Sequence, residues 1–321
     1  AIVGWVFVAL DVELEVAATM NIIKCVVPIS GGKDSQCCVK LALQKFDKSE
    51  ILGVFCDTKF EHPLTYAHVD KISEMYGIRI KKLNNGDVPT LVRKYGRFPS
   101  DAARFCTDEL KIKAGKRYYK ELAESQGAGF EVWYGMRRAE SHARAERYAG
   151  TISDEVYPPH LFMPSKYPQY LHALGIEIRL PIVDWSIEDV FEYVGDEINP
   201  LYKQGIEVGL RIVDCLVEDV FKYGGDEISP LYKQGFDRVG CFPCLAGGDY
   251  WKAKAFGHDD FGKSQRITVV QLATEIKKNV FVSKAYGSKL ENLDLMVQTK
   301  RKGEALQDDL FDAPPCMICQ I

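Results

Sequence analysis

VVPISGGKDSQCC, residues 26–38, runs from an apolar segment through a Ser-Gly-Gly-Lys-Asp-Ser bend into residues that suit a helix. A strand that turns on two glycines and then starts a helix leaves several backbone N–H groups converging on one spot, with the positive end of the helix dipole behind them. Such a cradle binds phosphate or sulfate. Lys33 adds a point charge, Gly31 and Gly32 let the backbone approach an anion, and the hydroxyls of Ser30 and Ser35 can donate to further oxygens. Asp34 suits either capping the helix or holding a metal-bound phosphate. The pattern G-x-x-x-x-G-K-[ST] is not met, because Val27 stands where it needs glycine and Asp34 where it needs Ser or Thr. A tight turn with no ligand is the plain alternative.

Outward from this bend, strand-like and helix-like patterns alternate. An apolar run at 22–29 is followed by helix periodicity at 34–45, ILGVFCDT at 51–58, a helix around 63–76, a short strand at 78–83, a helix at 108–125 and a strand at 130–135. Near-continuous apolar strands separated by helices predict a parallel sheet covered on both faces. Pro28 fits poorly in a central strand and is expected where pairing ends. The stretch 157–170 carries Pro158, Pro159, Pro164 and Pro168 among aromatics and reads as an ordered but irregular crossing. Beyond Ser288 the pattern weakens, and the tail LQDDLFDAPPCMICQI folds only if something ties it down.

The 321 residues carry 41 basic and 45 acidic side chains, a formal charge of -4, so no basic excess argues for bulk binding to nucleic acid or to an anionic membrane. Ten cysteines without the short, loop-rich character of a disulfide scaffold point to a reducing compartment, the cytoplasm by default, and to metal or redox chemistry. AIVGWVFVAL at the start is too short to span a bilayer and lacks a basic leader. Residues 1–19 read as an upstream or non-native extension ahead of Met20, or else as an extra strand or helix on the core.

IVDWSIEDVFEYVGDEINPLYKQG (182–205) recurs thirty residues later as IVDCLVEDVFKYGGDEISPLYKQG (212–235), with 18 of 24 positions identical. Two copies do not make a solenoid. They are unequal: the first has Ser186 three residues before Asp189, a capping-box start, whereas the second has Leu216 there and Gly224-Gly225 inside the helix. The second copy is the weaker helix, yet it runs directly into FDRVGCFPC.

SGGKDS resembles the PP-loop of the adenine nucleotide alpha-hydrolase-like superfamily, which includes ATP pyrophosphatases and phosphoadenylyl-sulfate (PAPS) reductases. Cys56-Asp57-Thr58 followed by Glu61-His62-Pro63-Leu64-Thr65 resembles the D-T-G-x-E-x-P-E-T segment of PAPS reductases, with Lys59 in place of glycine and Leu64 in place of an acid. Arg104-Phe105-Cys106-Thr107 with Leu110-Lys111 is similar to R-[WF]-C-T-x-x-L-K. Gly135 to Ser141 with Arg144 is similar to G-x-R-x-x-E-S-x-x-R, and PIVDWSIEDVFEY looks like a further helix of that family. The resemblance covers residues 22–245 and implies an α/β, doubly wound, mostly parallel five-stranded sheet with helices on both faces and a helical, cysteine-containing C-terminal region. It divides the chain into 20–181 (nucleotide-binding), 182–240 (the duplicated segment) and 241–321 (C-x-x-C, helices and tail). The implied nucleotide site comprises Ser30, Gly31, Gly32, Lys33, Asp34, Ser35, Asp57, Thr58, Gly135, Arg137, Glu140, Ser141 and Arg144. Arg137 and Arg144 can grip an anion bidentately while Glu140 holds one of them, although an Arg/Glu-rich stretch is by default a solvated helix face.

Cys241-Phe242-Pro243-Cys244 is a C-x-x-C in a bend where two thiolates can face one metal or cluster. With Cys106 they suggest, on the resemblance, a [4Fe–4S] cluster whose fourth ligand is Cys316 or Cys319. Zinc and a redox dithiol remain open, although 71 residues between Cys244 and Cys316 far exceed a zinc-ribbon spacing of about 15 to 20. Cys25, Cys37, Cys38 and Cys56 read as small buried apolar residues, and His142 as a surface histidine.

The resemblance implies an enzyme that reduces adenylylated sulfate to sulfite, with Lys33, Asp34 and Arg137 acting on the anion and a thioredoxin-like donor freeing the product. Family reductases carry their nucleophile in E-C-G-[IL]-H, a string absent from this sequence, so Cys319 of the tail is the candidate substitute, with Cys316 left as the metal ligand. The alternative is an ATP pyrophosphatase-type sulfurtransferase that uses Mg2+ with ATP, a cysteine desulfurase as partner and a nucleic acid as acceptor. A non-catalytic nucleotide-binding module is the third reading. No membrane partner is expected, and a homo-oligomer is compatible with any of the three.

Overall fold

The computed structural model describes residues 21–100, 103–194, 228–234, 236 and 239–281. The extension 1–19, the helix of the second repeat copy, Cys316 and Cys319 lie outside the described residues. Among the described residues no helix is long and apolar enough to cross a membrane.

Five strands form one sheet in the order β3-β2-β1-β4-β5, every pair parallel. β1 (Cys25–Ile29) and β2 (Ile51–Asp57) are buried along their whole length, and their sequences are accordingly unbroken apolar runs. β3 (Arg79–Asn84) lies at an edge, exposing Arg79, Lys81 and Lys82 while Ile80 and Leu83 turn inward. Charges on an edge discourage pairing with another chain. β4 (Glu131–Trp133) and β5 (Glu177–Arg179) complete the other side.

Pro28 corrects the expectation drawn from sequence. It lies inside the central strand, in register with Val54 of β2. The register with β4, however, covers only Cys25 and Val26, so the ladder on that side has ended before the residue without an N–H is reached.

Helices cover both faces. On one, α1 (Lys33–Lys45), α2 (Pro63–Tyr76) and α5 (Ile187–Val194) bury Cys37, Cys38, Val69, Ile72 and Val190 against the sheet. On the other, α4 (Lys113–Gln126), reached through a π turn at Asp108–Ile112, packs with Tyr134, Met163, Tyr167 and Leu171. The proline-rich crossing is ordered by two short helices, Pro159–Phe162 and Tyr170–Ala173. At the start of α5 the capping box forms as its sequence requires: Asp189 N–H donates to Ser186 Oγ at 3.1 Å and Ser186 N–H to Asp189 Oδ2 at 2.7 Å.

A third cluster stands beyond the end of β2. There α3 (Val88–Tyr95), α6 (Asp249–Phe256) and α7 (Asp260–Ile276) enclose Phe60, Phe105, Leu110 and Phe281, with Cys106 and Cys241 packed against them. His62 fastens α2 to this region: its Nδ1 accepts from Leu64 N–H at 3.1 Å, which leaves Nε2 to donate to Asp259 at 2.8 Å. Asp259 in turn caps α7 by accepting from Gly262 N–H.

Candidate functional site

The Ser30–Ser35 loop leaves the carboxyl end of β1, where the chain order reverses between β1 and β4. Doubly wound sheets bind ligands at this reversal. Gly31 takes φ +75, and a Cβ there would meet Thr65 Cγ2 at 3.1 Å, so glycine satisfies both the turn and the approach of α2. The loop is buried from end to end. Its amides meet hydroxyls: Ser30 N–H donates to Ser35 Oγ at 3.3 Å, Gly32 N–H to Ser30 Oγ at 3.2 Å, and Lys33 N–H to the Tyr232 hydroxyl at 3.4 Å. Rotatable hydroxyls at these lengths are weak partners, which an anion can displace.

Asp34 does not cap the helix, a correction to one of the two readings from sequence. Gly32 occupies the cap position in an extended conformation. The Asp34 carboxylate instead joins the two expected cations: Lys33 Nζ donates to Oδ2 at 3.1 Å and Arg137 Nε to Oδ1 at 2.7 Å. All three side chains are buried. Burial alone would raise the Asp34 carboxyl, but Lys33 and Arg137 outweigh it and hold it below the usual aspartate value. For Lys33, burial pulls the ammonium down while Asp34 more than restores it, leaving it above the ordinary lysine value. Two cations against one carboxylate leave one net positive charge at the mouth of the loop. Gly135, just after β4, permits this approach, because a Cβ there would lie 2.8 Å from the Asp34 backbone carbonyl.

The segment after Gly135 is ordered by its own charges. Glu140 accepts from Arg137 N–H at 2.9 Å and pairs with Arg144, while Ser141 caps the following turn by accepting from Arg144 N–H. Arg144 is therefore buried against Glu140 rather than extended toward solvent.

The end of β2 forms the adjoining wall. Asp57 is bound by Lys59 Nζ at 2.6 Å and by the Tyr66 hydroxyl at 2.7 Å. Lys59, standing where the resembled motif has glycine, adopts a left-handed φ of +58. Thr58 donates its hydroxyl to Glu61 Oε1 at 2.7 Å and lies 3.3 Å from Cys241 Sγ. Phe242 N–H donates to Phe60 O at 2.7 Å, so the C-x-x-C bend is laid directly along the chain leaving β2.

Cys106, which the sequence separates widely from Cys241 and Cys244, lines one pocket with them and with Thr58, Phe60 and Lys111. Burial pushes the Cys106 thiol up to about 11, with Cys244 adding to the effect. Burial, then Glu61, raises Cys241 further. Lys111 is buried beside them, and the neighbouring Cys241 and Glu61 keep its ammonium above the ordinary lysine value in spite of burial. Three soft sulfur donors beside a buried cation are a chemically suitable lining for an iron–sulfur cluster, whose thiolate ligands carry negative charge. Among the described residues, however, no three His, Cys, Asp or Glu side chains are already arrayed as a metal-ligand set.

The site also holds two side chains that the sequence reading did not select, Phe191 and Tyr232. Lys33 Nζ lies 5.6 Å from the Phe191 ring centroid and 5.3 Å from that of Tyr232. The signal was present in the D-V-F and P-L-Y strings of the repeat, but nothing in the sequence tells which copy of each faces the loop. Cys25, Cys37, Cys38 and Cys56 are buried, and His142 is exposed beside Glu146.

The chain is similar to several known proteins. Residues 24–246 match the phosphoadenosine phosphosulfate reductase domain. An uncharacterised 37.8 kDa protein of Escherichia phage 186 is 26% identical over 236 residues, covering 58% of this chain and 64% of that protein. Phosphoadenosine 5'-phosphosulfate reductase of Salmonella choleraesuis is 24% identical over 184 residues, covering 55% and 65%. The chain thus spans just under two thirds of the length of these curated relatives. Among solved structures, PAPS reductase from Candida auris in a phosphate complex is 16% identical with a TM-score of 0.40, covering 72% of this chain and 87% of that one. With its PP-loop at the end of the central strand and more than half its length matched, the chain belongs to the phosphoadenosine phosphosulfate reductase domain family.

Proposed function

We propose that this chain is an enzyme that binds the anionic end of an adenine nucleotide at the Ser30–Ser35 loop and carries out sulfur chemistry beside it, the leading reaction being reduction of adenylylated sulfate to sulfite. One observation carries the reading: the loop leaves the carboxyl end of β1, and the thiol pocket is tied through Thr58 and Glu61 to the carboxyl end of its parallel neighbour β2, so the anion site and a sulfur-handling centre lie at the same edge of the sheet. Ser30, Gly31, Gly32 and Ser35 offer amides and hydroxyls to the anion; Lys33 and Arg137, steadied by Asp34, offset the charge that develops as the sulfur–oxygen bond breaks. Asp57 and Thr58 face the nucleotide from β2, and Gly135, Glu140, Ser141 and Arg144 shape the opposite wall.

In this reaction a cysteine thiolate attacks the sulfate sulfur, the nucleoside bisphosphate leaves with the bridging oxygen's electron pair, and an enzyme S-sulfonate remains. A thioredoxin-like dithiol then attacks the cysteine sulfur, sulfite departs, and the donor is oxidised to a disulfide as the enzyme thiol is restored. Cys319 is the proposed nucleophile. Cys106, Cys241 and Cys244, with Cys316, would hold a [4Fe–4S] cluster, or zinc as the alternative; the cluster would supply a polarisable, charged surface beside the sulfur-bearing group.

A second reading, in which ATP with Mg2+ is cleaved to AMP and pyrophosphate to activate an acceptor for sulfur transfer, rests on the SGGKDS loop itself. The two are separated by one experiment. Protein purified without oxygen is assayed for iron and acid-labile sulfide, then incubated in parallel with PAPS plus a dithiol donor and with ATP plus Mg2+. Sulfite from the first supports reduction, and pyrophosphate from the second supports activation. Lys33→Ala retaining full activity in either assay overturns the loop as the site.

A further inference from the structure

Among the described residues, each repeat copy brings a different part to the loop. The helix that packs on α1 comes from the first copy, with Cys37 Sγ 3.7 Å from Val190 O, and it brings Phe191 over the Lys33 ammonium. The P-L-Y turn that reaches the loop comes from the second copy, in the short helix Pro230–Lys233. Tyr232 is 3% exposed, its ring stands edge-on to Phe191 at 6.3 Å, and its hydroxyl accepts from Lys33 N–H. The same hydroxyl lies only 3.2 Å from where a Cβ on Gly32 would be. Two further hydroxyls of this wall, Thr65 Oγ1 and Ser229 Oγ, are buried without a hydrogen-bond partner among the described residues. Thr65 packs on Gly31, and the Ser229 carbonyl accepts from Tyr232 N–H. Buried hydroxyls left unsatisfied are costly and suit a site that takes a polar ligand.

We propose that the anion site is assembled from half of each copy. Phe191 of the first and Tyr232 of the second hold the Lys33 ammonium between their rings, and the Tyr232 hydroxyl donates to the bound phosphate or sulfate oxygen that takes its place on the Lys33 amide. A phenol accepts from an N–H and donates to an anion with equal ease, so one rotation serves both states. The inference rests on the reading of the loop as the nucleotide's anion site. It also predicts a functional asymmetry in the duplication: Tyr202 and Phe221, the sequence equivalents, are expected to be dispensable for anion binding.

The test is calorimetric titration of the full-length protein with inorganic pyrophosphate and, separately, with PAPS. Tyr232→Phe, which keeps the ring, is expected to weaken binding about tenfold, the worth of one hydrogen bond to a charged group. Tyr202→Phe is expected to bind as the original protein does. Phe191→Leu is expected to lose severalfold and Phe191→Tyr to keep the original affinity, while Phe221→Leu changes nothing. Melting temperatures without ligand identify any variant weakened through folding, and the retained rings of Tyr232→Phe and Phe191→Tyr guard against that outcome. Original affinity in Tyr232→Phe, or equal losses in Tyr202→Phe and Tyr232→Phe, overturns the assembly from two half-copies. Lys33→Ala reports separately on the loop: if it loses binding while Tyr232→Phe does not, only this inference falls, and if it binds as the original protein does, the nucleotide reading falls with it.

Discussion

Arg137 donates its Nε to Asp34 Oδ1 at 2.7 Å across 103 residues of sequence, with both side chains almost wholly withdrawn from water. That single contact ties the loop after β1 to the loop after β4, the two sides of the crevice. Asp34 also holds Lys33, so its removal leaves two buried cations facing each other. Asp34→Ala is expected to destabilise the protein by about 3–5 kcal/mol, measured by urea unfolding at neutral pH, because an uncompensated buried charge is far more costly than a missing ion pair is valuable. The sign with pH follows from the depressed carboxyl: the contribution is present above the unfolded aspartate value of 3.8 and is lost as pH falls through the lower folded value.

Gly135→Ala places a methyl 2.8 Å from the Asp34 backbone, and backbone cannot turn aside as a side chain can. The strain is expected to cost about 1–3 kcal/mol and to widen the crevice. Chemical denaturation measures the first effect and nucleotide titration the second; a variant as stable as the original protein contradicts the close approach.

His68 is buried on α2, its Nε2 placed 3.4 Å from Gln36 Oε1, and burial lowers its pKa from 6.5 to about 4. Between these values the unfolded chain binds the proton and the folded one does not, so stability falls on acidification from pH 6.5 toward 4. The loss approaches about 3 kcal/mol, and His68→Gln is expected to flatten that part of the stability–pH curve.

Deleting residues 198–227 removes one thirty-residue period and joins the helix of the first copy to the P-L-Y turn of the second. Phe191 and Tyr232 both survive. The shortened chain is expected to fold, keep its melting temperature within a few degrees and bind nucleotide; loss of cooperative unfolding refutes it.

Much of the fold could be read from pattern because burial on both faces forces β1 and β2 into apolar runs, and because Pro63 at the start of α2 marks a helix boundary. Pro28 was misread for a reason that pattern hides: the cost of a missing N–H depends on where the neighbouring strand stops, and β4 is short. Lys33 and Arg137 were recognisable as charges facing an anion, but not as partners of the same carboxylate, since that depends on two loops meeting across the sheet. Tyr232 was hidden by the duplication itself, because two nearly identical strings compete for one position and only packing distinguishes them.

Glu61 gives its carboxylate to Thr58 and also faces Cys241, within a backbone bridge that joins the two segments. On the proposed reading, which sets the nucleotide against Thr58, a change at the thiols and a change at the nucleotide would pull on one shared handle. By linkage, whatever oxidation or metal loading does to nucleotide affinity, nucleotide must do in equal measure to the thiols, so a redox titration with and without nucleotide reads the strength of that handle from either end.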